Sequence, residues 1–121
     1  MFIFAFNYLD ALSPGWERLP LFMVNLRLRR RGAVNIQFLH RDANGLRGIP
    51  QLSRWNAHQC EFYWAEYGCT VSVYEYFYIK YGFEIRRPYD RLVFLDGAAD
   101  DVDATDSSNL FPIEVMRVSM E

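Results

Sequence analysis

The chain has 121 residues, of which 51% are hydrophobic and 17% aromatic, so it can form one domain with a real core, and a wholly disordered chain is excluded. Its 2 cysteines cannot build a disulfide framework, and Cys60 and Cys69 lack the spacing typical of a structural zinc site. The net charge of −2 hides a division, because residues 1–95 carry 12 basic and 8 acidic side chains whereas residues 96–121 carry 1 and 7.

The first third of the chain predicts helices. Residues 2–12 are mostly apolar and predict a short helix or a buried segment, which the Ser-Pro-Gly sequence at 13–15 ends. Residues 21–31 predict a second helix, because their apolar residues recur at helical spacing and Gly32 follows them. Residues 1–31 are therefore interpreted as the leading helical region of one domain that covers residues 1–121.

The middle of the chain predicts strands. Apolar residues alternate with polar ones over residues 33–40, which predicts a strand. An Asn-Gly pair predicts a turn within 42–48, and residues 50–56 are interpreted as a loop. Residues 59–65 and 69–71 predict the two strands of a hairpin, with a tight turn between them.

A helix is predicted directly after this hairpin. Ser72 and Glu75 have the spacing of a capping box, in which each side chain accepts a hydrogen bond from the other residue's backbone N–H. A helix of about nine residues should follow and end at Gly82. The hairpin and the helix together form a predicted lobe over residues 59–82.

The remaining segments complete a mainly β pattern. Residues 83–86 and 92–95 predict strands, residues 97–109 an acidic mobile loop, and residues 110–118 a last strand. Five to seven short strands with a few helices are typical of a small β-barrel or of a mainly β domain of the α+β class. No stretch is long enough to span a bilayer, and the apolar start lacks a basic leader, so an intracellular protein is expected.

Binding has more support in the sequence than catalysis. None of the patterns GxSxG, HExxH, GxGxxG or the P-loop occurs, so we expect no enzyme, no cofactor and no metal site. Residues 27–54 contain 7 arginines and 1 acidic residue, and guanidinium groups suit phosphate oxygens. Aromatic residues such as Phe62, Tyr63 and Trp64 can stack on bases. The alternative is a solvated cationic helix end beside core aromatics.

Two polar groups of the predicted helix share one face. Tyr76 and Lys80 are four residues apart, and a hydroxyl and an ammonium on one face can hold one phosphate. Tyr81 comes five residues after Tyr76, so it should point elsewhere unless the helix end bends. The alternative is that Tyr74, Tyr76 and Tyr78 are half-buried amphipathic side chains, and spacing alone does not decide between the two.

The order of motifs over residues 62–118 resembles that of a PAZ domain. The matching pieces are Phe62, Ser72-Val73-Tyr74-Glu75-Tyr76-Phe77, Lys80-Tyr81-Gly82, Ile85-Arg86-Arg87-Pro88, Leu92-Val93-Phe94-Leu95 and Phe111-Pro112-Ile113-Glu114-Val115. The Pro-Ile-Glu-Val ending is similar to that of the Argonaute and Piwi versions of the domain.

The resemblance implies a fold and a function. The fold is a small OB- or SH3-like barrel with N-terminal helices and an inserted β-hairpin–helix lobe. The implied function is binding of the 3′ end of a single-stranded small guide RNA between barrel and lobe, without sequence reading or catalysis. Such a domain is a module of a larger Argonaute-family gene-silencing chain. The residues implied to bind RNA are His40, Arg47, Phe62, Tyr76, Lys80, Tyr81 and Phe111.

The chain also departs from the family. The family's Arg/Lys-Tyr-Arg stretch falls near residues 42–47, where the tyrosine is absent and only Arg47 or Arg41 offers a comparable charge. The acidic segment 97–109 would repel RNA if it lay near the cleft. The alternative function is therefore a degenerate PAZ fold that binds protein partners without binding RNA 3′ ends. Neither alternative involves a membrane.

Overall fold

The computed structural model describes residues 2–39, 46–96 and 110–119. The helices are α1 (Ala5–Leu12), α2 (Leu21–Arg31) and α3 (Val73–Tyr81), with short 3₁₀ turns at Trp16–Arg18 and Ile113–Val115. The strands are β1 (Phe2–Phe4), β2 (Val34–Phe38), β3 (Leu46–Asn56), β4 (Glu61–Trp64), β5 (Cys69–Ser72), β6 (Arg91–Asp96) and β7 (Met116–Ser119). The order β1-β7-β2-β3-β6 gives one antiparallel sheet, and β4-β5 gives a separate hairpin. The fold is therefore a small, mainly antiparallel α+β domain.

The predicted strand after α2 is confirmed as β2. Val34, Ile36 and Phe38 are buried, whereas Asn35 and Gln37 between them are exposed. This two-residue period arises because successive side chains of a strand point to opposite faces. The buried side of β2 forms part of the core, and β2 pairs with β3 on one side and β7 on the other.

The N-terminal segment differs from the prediction of a single helix or buried segment over 2–12. Residues Phe2–Phe4 form β1 and pair with β7, so that Ile3 lies opposite Val118. The helix α1 begins only at Ala5, and its end before Ser13 is confirmed. The pairing partner of β1 lies more than a hundred residues away in sequence, and a local pattern of apolar residues does not reveal it.

The prediction of a loop over 50–56 is wrong, because these residues belong to β3. β2 pairs only with the start of β3, up to Gly48, and beyond that point β3 pairs with β6 alone. A proline is tolerated where one side of a strand has no strand partner, and Pro50 lies in this part. On that side the Asn25 side chain of α2 bonds both backbone groups of Leu52, with distances of 2.7 and 3.0 Å.

Two further strand predictions need correction. Residues 83–86 form no strand: Ile85 is buried, and the backbone N–H of Arg86 donates to the Glu114 carboxylate at 2.8 Å instead of to a ladder. The predicted strand over 110–118 is shorter, because a 3₁₀ turn follows Pro112 and β7 begins at Met116. The strand predicted at 92–95 is confirmed within β6.

The hairpin and the helix α3 are confirmed. The Ser72 hydroxyl accepts from the backbone of Glu75 at 3.1 Å, and the Glu75 carboxylate accepts from the backbone of Ser72 at 2.9 Å. Gly82 ends the helix with a φ of 63°, a conformation that a residue without Cβ adopts without strain. Helix α2 also has the predicted bounds, and Gly32 follows it with a φ of 88°.

Some predictions lie outside the described residues, namely the acidic loop over 97–109 and the position of His40. The predicted turn within 42–48 does so in part, and its last residues belong to β3. The predicted barrel is also not confirmed, because within the described residues β1 and β6 are the two edges of the sheet and do not pair.

We expect Asn25→Ala to destabilise the domain by about 1–3 kcal/mol, because it leaves two backbone groups of Leu52 without their hydrogen bonds. Urea unfolding should show a lower midpoint with an unchanged slope. The control is Arg30→Ala on the exposed side of the same helix. An equal effect of both substitutions would contradict the role of Asn25.

A second prediction about stability concerns the buried side chain of Tyr8. Its side chain is 3% exposed, and its hydroxyl has no hydrogen-bond partner among the described residues. We expect Tyr8→Phe to raise the free energy of unfolding by about 1 kcal/mol, because it removes a buried polar group without a partner. The exposed Tyr78→Phe is the control, and a fall in stability of the Tyr8 variant would refute the argument.

Tyr8 also makes the stability of the domain depend on pH. Burial raises the pKa of Tyr8 in the folded chain, and the charge of Arg31 opposes this only in part. The unfolded chain therefore releases this proton first, so stability should fall as the pH rises above 10.0, the ordinary pKa of tyrosine. Unfolding measured across this range should show a shallower loss of stability in Tyr8→Phe than in the wild type.

Candidate functional site

The hairpin of β4 and β5 carries aromatic side chains on the face that meets α3. In its register Phe62 lies opposite Val71, and Trp64 lies opposite Cys69. Side chains alternate along a strand, and β4 is accordingly half-buried at Phe62 and Trp64 but exposed at Tyr63. Phe62 and Trp64 thus share one face of the hairpin.

Tyr76 of α3 lies at the centre of an aromatic cluster, defined here as Phe62, Trp64, Tyr76 and Tyr81. The Tyr76 ring centroid lies 5.1 Å from that of Phe62 and 4.8 Å from that of Trp64, both edge to face. The Tyr81 ring meets Tyr76 in the same way at 6.0 Å. Edge-to-face pairs add about 0.5–1.5 kcal/mol each beyond the burial of their area, so these rings hold one another in place.

Lys80 adds a positive charge to the aromatic cluster. Its Nζ donates to the Tyr76 hydroxyl at 2.8 Å and lies 5.3 Å from the Tyr76 ring centroid and 5.6 Å from that of Tyr81. The hydrogen bond to Tyr76 raises the pKa of Lys80, partial desolvation opposes this, and the charge of Glu66 adds to the rise. The side chain is exposed, so a fixed ammonium and hydroxyl are available to an anion from solution.

The spacing of residues along α3 thus predicts one of the contacts of Tyr76 and misses the others. Tyr76 and Lys80 do share a face, as their separation of four residues predicts. Tyr81 also joins the aromatic cluster, although its separation of five residues pointed elsewhere; it is the last residue of α3, immediately before the left-handed Gly82. Trp64 was named among the aromatic residues that can stack on bases, but not among the residues implied to form the RNA site. Its separation of two residues from Phe62 on one strand was the signal that could have identified it.

Two of the predicted RNA-binding residues, Phe111 and Arg47, lie away from the aromatic cluster. Phe111 is 6% exposed, forms a bridge with Val93 of β6, and its ring lies 4.5 Å from that of Phe38 in the core. Arg47 lies on β3 and donates to Asn35 at 3.3 Å. His40 lies outside the described residues. The cluster therefore brings together the predicted residues of the hairpin and α3, whereas Phe111 and Arg47 lie with the five-stranded sheet.

The arginine-rich segment is not one unpaired patch. Arg27 donates to the Ser13 hydroxyl at 2.8 Å, and Arg29 forms an ion pair of 2.7 Å with Asp96. The guanidinium of Arg54 lies 5.9 Å from the centroid of the neighbouring Trp55 ring. Much of the positive charge at residues 27–54 is thus engaged within the fold, which leaves Lys80 as the cation placed on the aromatic cluster.

Two open clefts of the described chain lie away from the aromatic cluster. One, of about 340 Å³, runs from Trp16 and Leu21 to Arg54 and Arg91. The other, of about 750 Å³, is lined by His58, Tyr74, Glu84, Arg86 and Tyr89 among others. No member of the aromatic cluster lines either cleft, so the cluster forms a separate surface.

The described residues include no group of three or more His, Cys, Asp or Glu side chains that could hold a metal ion. Among the helices described, none has the length and apolar character needed to cross a membrane. Comparison with models of known protein families finds no match to the chain, and no curated protein matches it.

The hydrogen bond between Lys80 and Tyr76 predicts a measurable pKa difference. Lys80 is the chain's single lysine, so its side-chain NMR signal can be assigned without ambiguity. We expect Tyr76→Phe to lower the pKa of Lys80 in an NMR titration, because the acceptor that favours the charged form is lost. The control Tyr78→Phe, on the exposed side of α3, should leave it unchanged. An unaltered pKa in Tyr76→Phe would contradict the hydrogen bond.

Proposed function

We propose that this chain is a PAZ-like domain that binds the 3′ end of single-stranded small RNA. The observation that carries the proposal is the hydrogen-bonded pair of Lys80 and Tyr76 on the aromatic cluster. An ammonium and a phenolic hydroxyl suit a terminal phosphodiester, and the neighbouring rings suit the last sugar and base. These contacts address the backbone and the π-faces of bases, so binding is independent of sequence and involves no catalysis.

The fold supports the same proposal in two ways. The hairpin of β4 and β5 is a sheet of its own beside the five-stranded sheet, and α3 follows it directly, which is compatible with the lobe that the resemblance implies. The bridge between Val93 and Phe111 brings the segment before β7 against the edge strand β6, and this contact favours a curled, barrel-like sheet. On this proposal the domain is an OB- or SH3-like barrel and a module of a larger, intracellular Argonaute-type chain.

The first experiment is a binding titration of the full chain with short single-stranded RNA at two salt concentrations. One RNA carries a free 3′ hydroxyl and the other a 3′ phosphate. We expect the free end to bind more tightly, because a site built for a terminal sugar and linkage discriminates the end. Weak binding that ignores the end and disappears with salt would indicate nonspecific attraction by arginines and would overturn the proposal in favour of a protein-binding role.

A variant tests the residues. We expect Tyr76→Phe combined with Lys80→Ala to weaken RNA binding at least about tenfold, which corresponds to about 1.4 kcal/mol, and to reduce the salt dependence by about one phosphate contact. The matched control is Tyr63→Phe, on the exposed face of the same hairpin. Both proteins should retain the wild-type unfolding midpoint. Unchanged affinity of the double variant would remove these residues from the site.

A further inference from the structure

A second open surface lies on another face of α3. It is the open cleft of about 750 Å³ lined by His58, Tyr74, Glu84, Arg86 and Tyr89, here called the Tyr89 cleft. Tyr74 and Tyr76 are two residues apart, which places their side chains about 200° apart around the helix. The Tyr89 cleft and the aromatic cluster are therefore distinct, and a cleft of this volume is within the ~300–1,000 Å³ range of small-molecule sites.

Backbone hydrogen bonds fix the frame of the Tyr89 cleft. The N–H of Tyr74 donates to the carbonyl of Ala57 at 3.1 Å, and the N–H of Ala57 donates to the carbonyl of Pro88 at 3.0 Å. The N–H of Arg86 donates to the Glu114 carboxylate at 2.8 Å. The start of α3, the turn after β3 and the segment before β6 thus form one connected frame.

Three aromatic rings meet within this frame. The His58 ring contacts two tyrosines, with its centroid 4.7 Å from that of Tyr74 at an interplanar angle of 32° and 5.2 Å from that of Tyr89 at 47°. Tyr89 is 77% exposed. An exposed tyrosine ring beside a second aromatic ring offers a surface on which a further planar group, such as a nucleobase, can stack.

The charges of the cleft leave one cation available. The Glu84 carboxylate accepts from the Tyr74 hydroxyl at 3.3 Å, and Asp90 pairs with Arg87 at 2.7 Å. Arg87 also donates to Glu17 at 3.0 Å. The guanidinium of Arg86, in contrast, forms no ion pair or hydrogen bond with a described residue, although its backbone is held. Arg86 lines the same cleft as His58 and Tyr89, so its guanidinium is open to an anion there.

We propose that the Tyr89 cleft binds a nucleotide, with its base stacked on the rings of Tyr89 and His58 and its phosphate on the guanidinium of Arg86. The nucleotide is either a free mononucleotide or an internal unit of an RNA strand. Planar guanidinium groups suit phosphate oxygens, and tyrosine suits any base. This inference does not depend on the 3′-end proposal, because the two surfaces share no residue.

The test uses the full chain and NMR titrations with AMP, adenosine and inorganic phosphate. We expect AMP to shift the signals of His58 and Tyr89 and to bind more tightly than adenosine or phosphate alone. Tyr89→Ala should weaken AMP binding at least about fivefold, and Arg86→Gln should remove the advantage of AMP over adenosine. Controls are Tyr63→Ala and Arg30→Gln, which change exposed side chains elsewhere.

A second experiment distinguishes a free mononucleotide from an internal nucleotide of an RNA strand as the ligand of the cleft. Single-stranded RNA whose 3′ end is blocked by a phosphate is titrated against the wild type and Tyr89→Ala. A loss of RNA affinity in the variant, with mononucleotide binding that is weak by comparison, assigns the cleft to an RNA strand. Tight AMP binding with unchanged RNA affinity assigns it to a free nucleotide. The proposal would be overturned if AMP shifted only signals outside the cleft. It would also be overturned if Tyr89→Ala and Arg86→Gln left the affinities for AMP and RNA unchanged.

The outcome is independent of the 3′-end site. Tyr76→Phe combined with Lys80→Ala should leave AMP binding to the Tyr89 cleft unchanged, since neither residue lines it. Because Tyr89 and Arg86 are exposed, their substitution should not alter the unfolding midpoint, and urea unfolding checks this. Failure of one proposal is therefore distinguishable from failure of the other.

Discussion

The reciprocal hydrogen bonds between Ser72 and Glu75 determine where α3 lies, and both candidate surfaces depend on that position. Strand β5 ends at Ser72 and α3 begins at the next residue. No linker separates them, so the end of β5 directly sets the direction of α3. With the cap in place, the helix lies against the hairpin, Tyr76 meets Phe62 and Trp64, and Tyr74 meets His58. A single turn of chain thus positions the side chains of both candidate surfaces.

Features that are set by neighbouring residues could be predicted, and features that are set by distant residues could not. The bounds of α2 and α3 follow from glycines and a capping box, whose physical causes lie within a few residues. Strand β1 depends on β7, and the Pro50 region of β3 is a strand because β6 pairs with it and Asn25 bonds its other side. Such long-range partners override local propensity.

The candidate site shows the same division. The contact between Tyr76 and Lys80 could be predicted because helix geometry relates residues four apart. The contacts of Tyr76 with Phe62 and Trp64 depend on how the helix lies on the hairpin, which the sequence pattern does not specify. Tyr89 was not predicted as a site residue, since its contact with His58 joins separate segments of the chain.

Several contacts tie the N-terminal region into the domain, among them three: β1 pairs with β7, Asn25 bonds Leu52, and Glu17 accepts from Arg87. A fragment beginning at β2 would lose all three ties. Strand β7 would then become an edge with unpaired backbone groups, which favours pairing with another copy of the chain. The folding unit therefore includes β1, and fragments that begin at β2 should self-associate instead of reporting on the isolated domain.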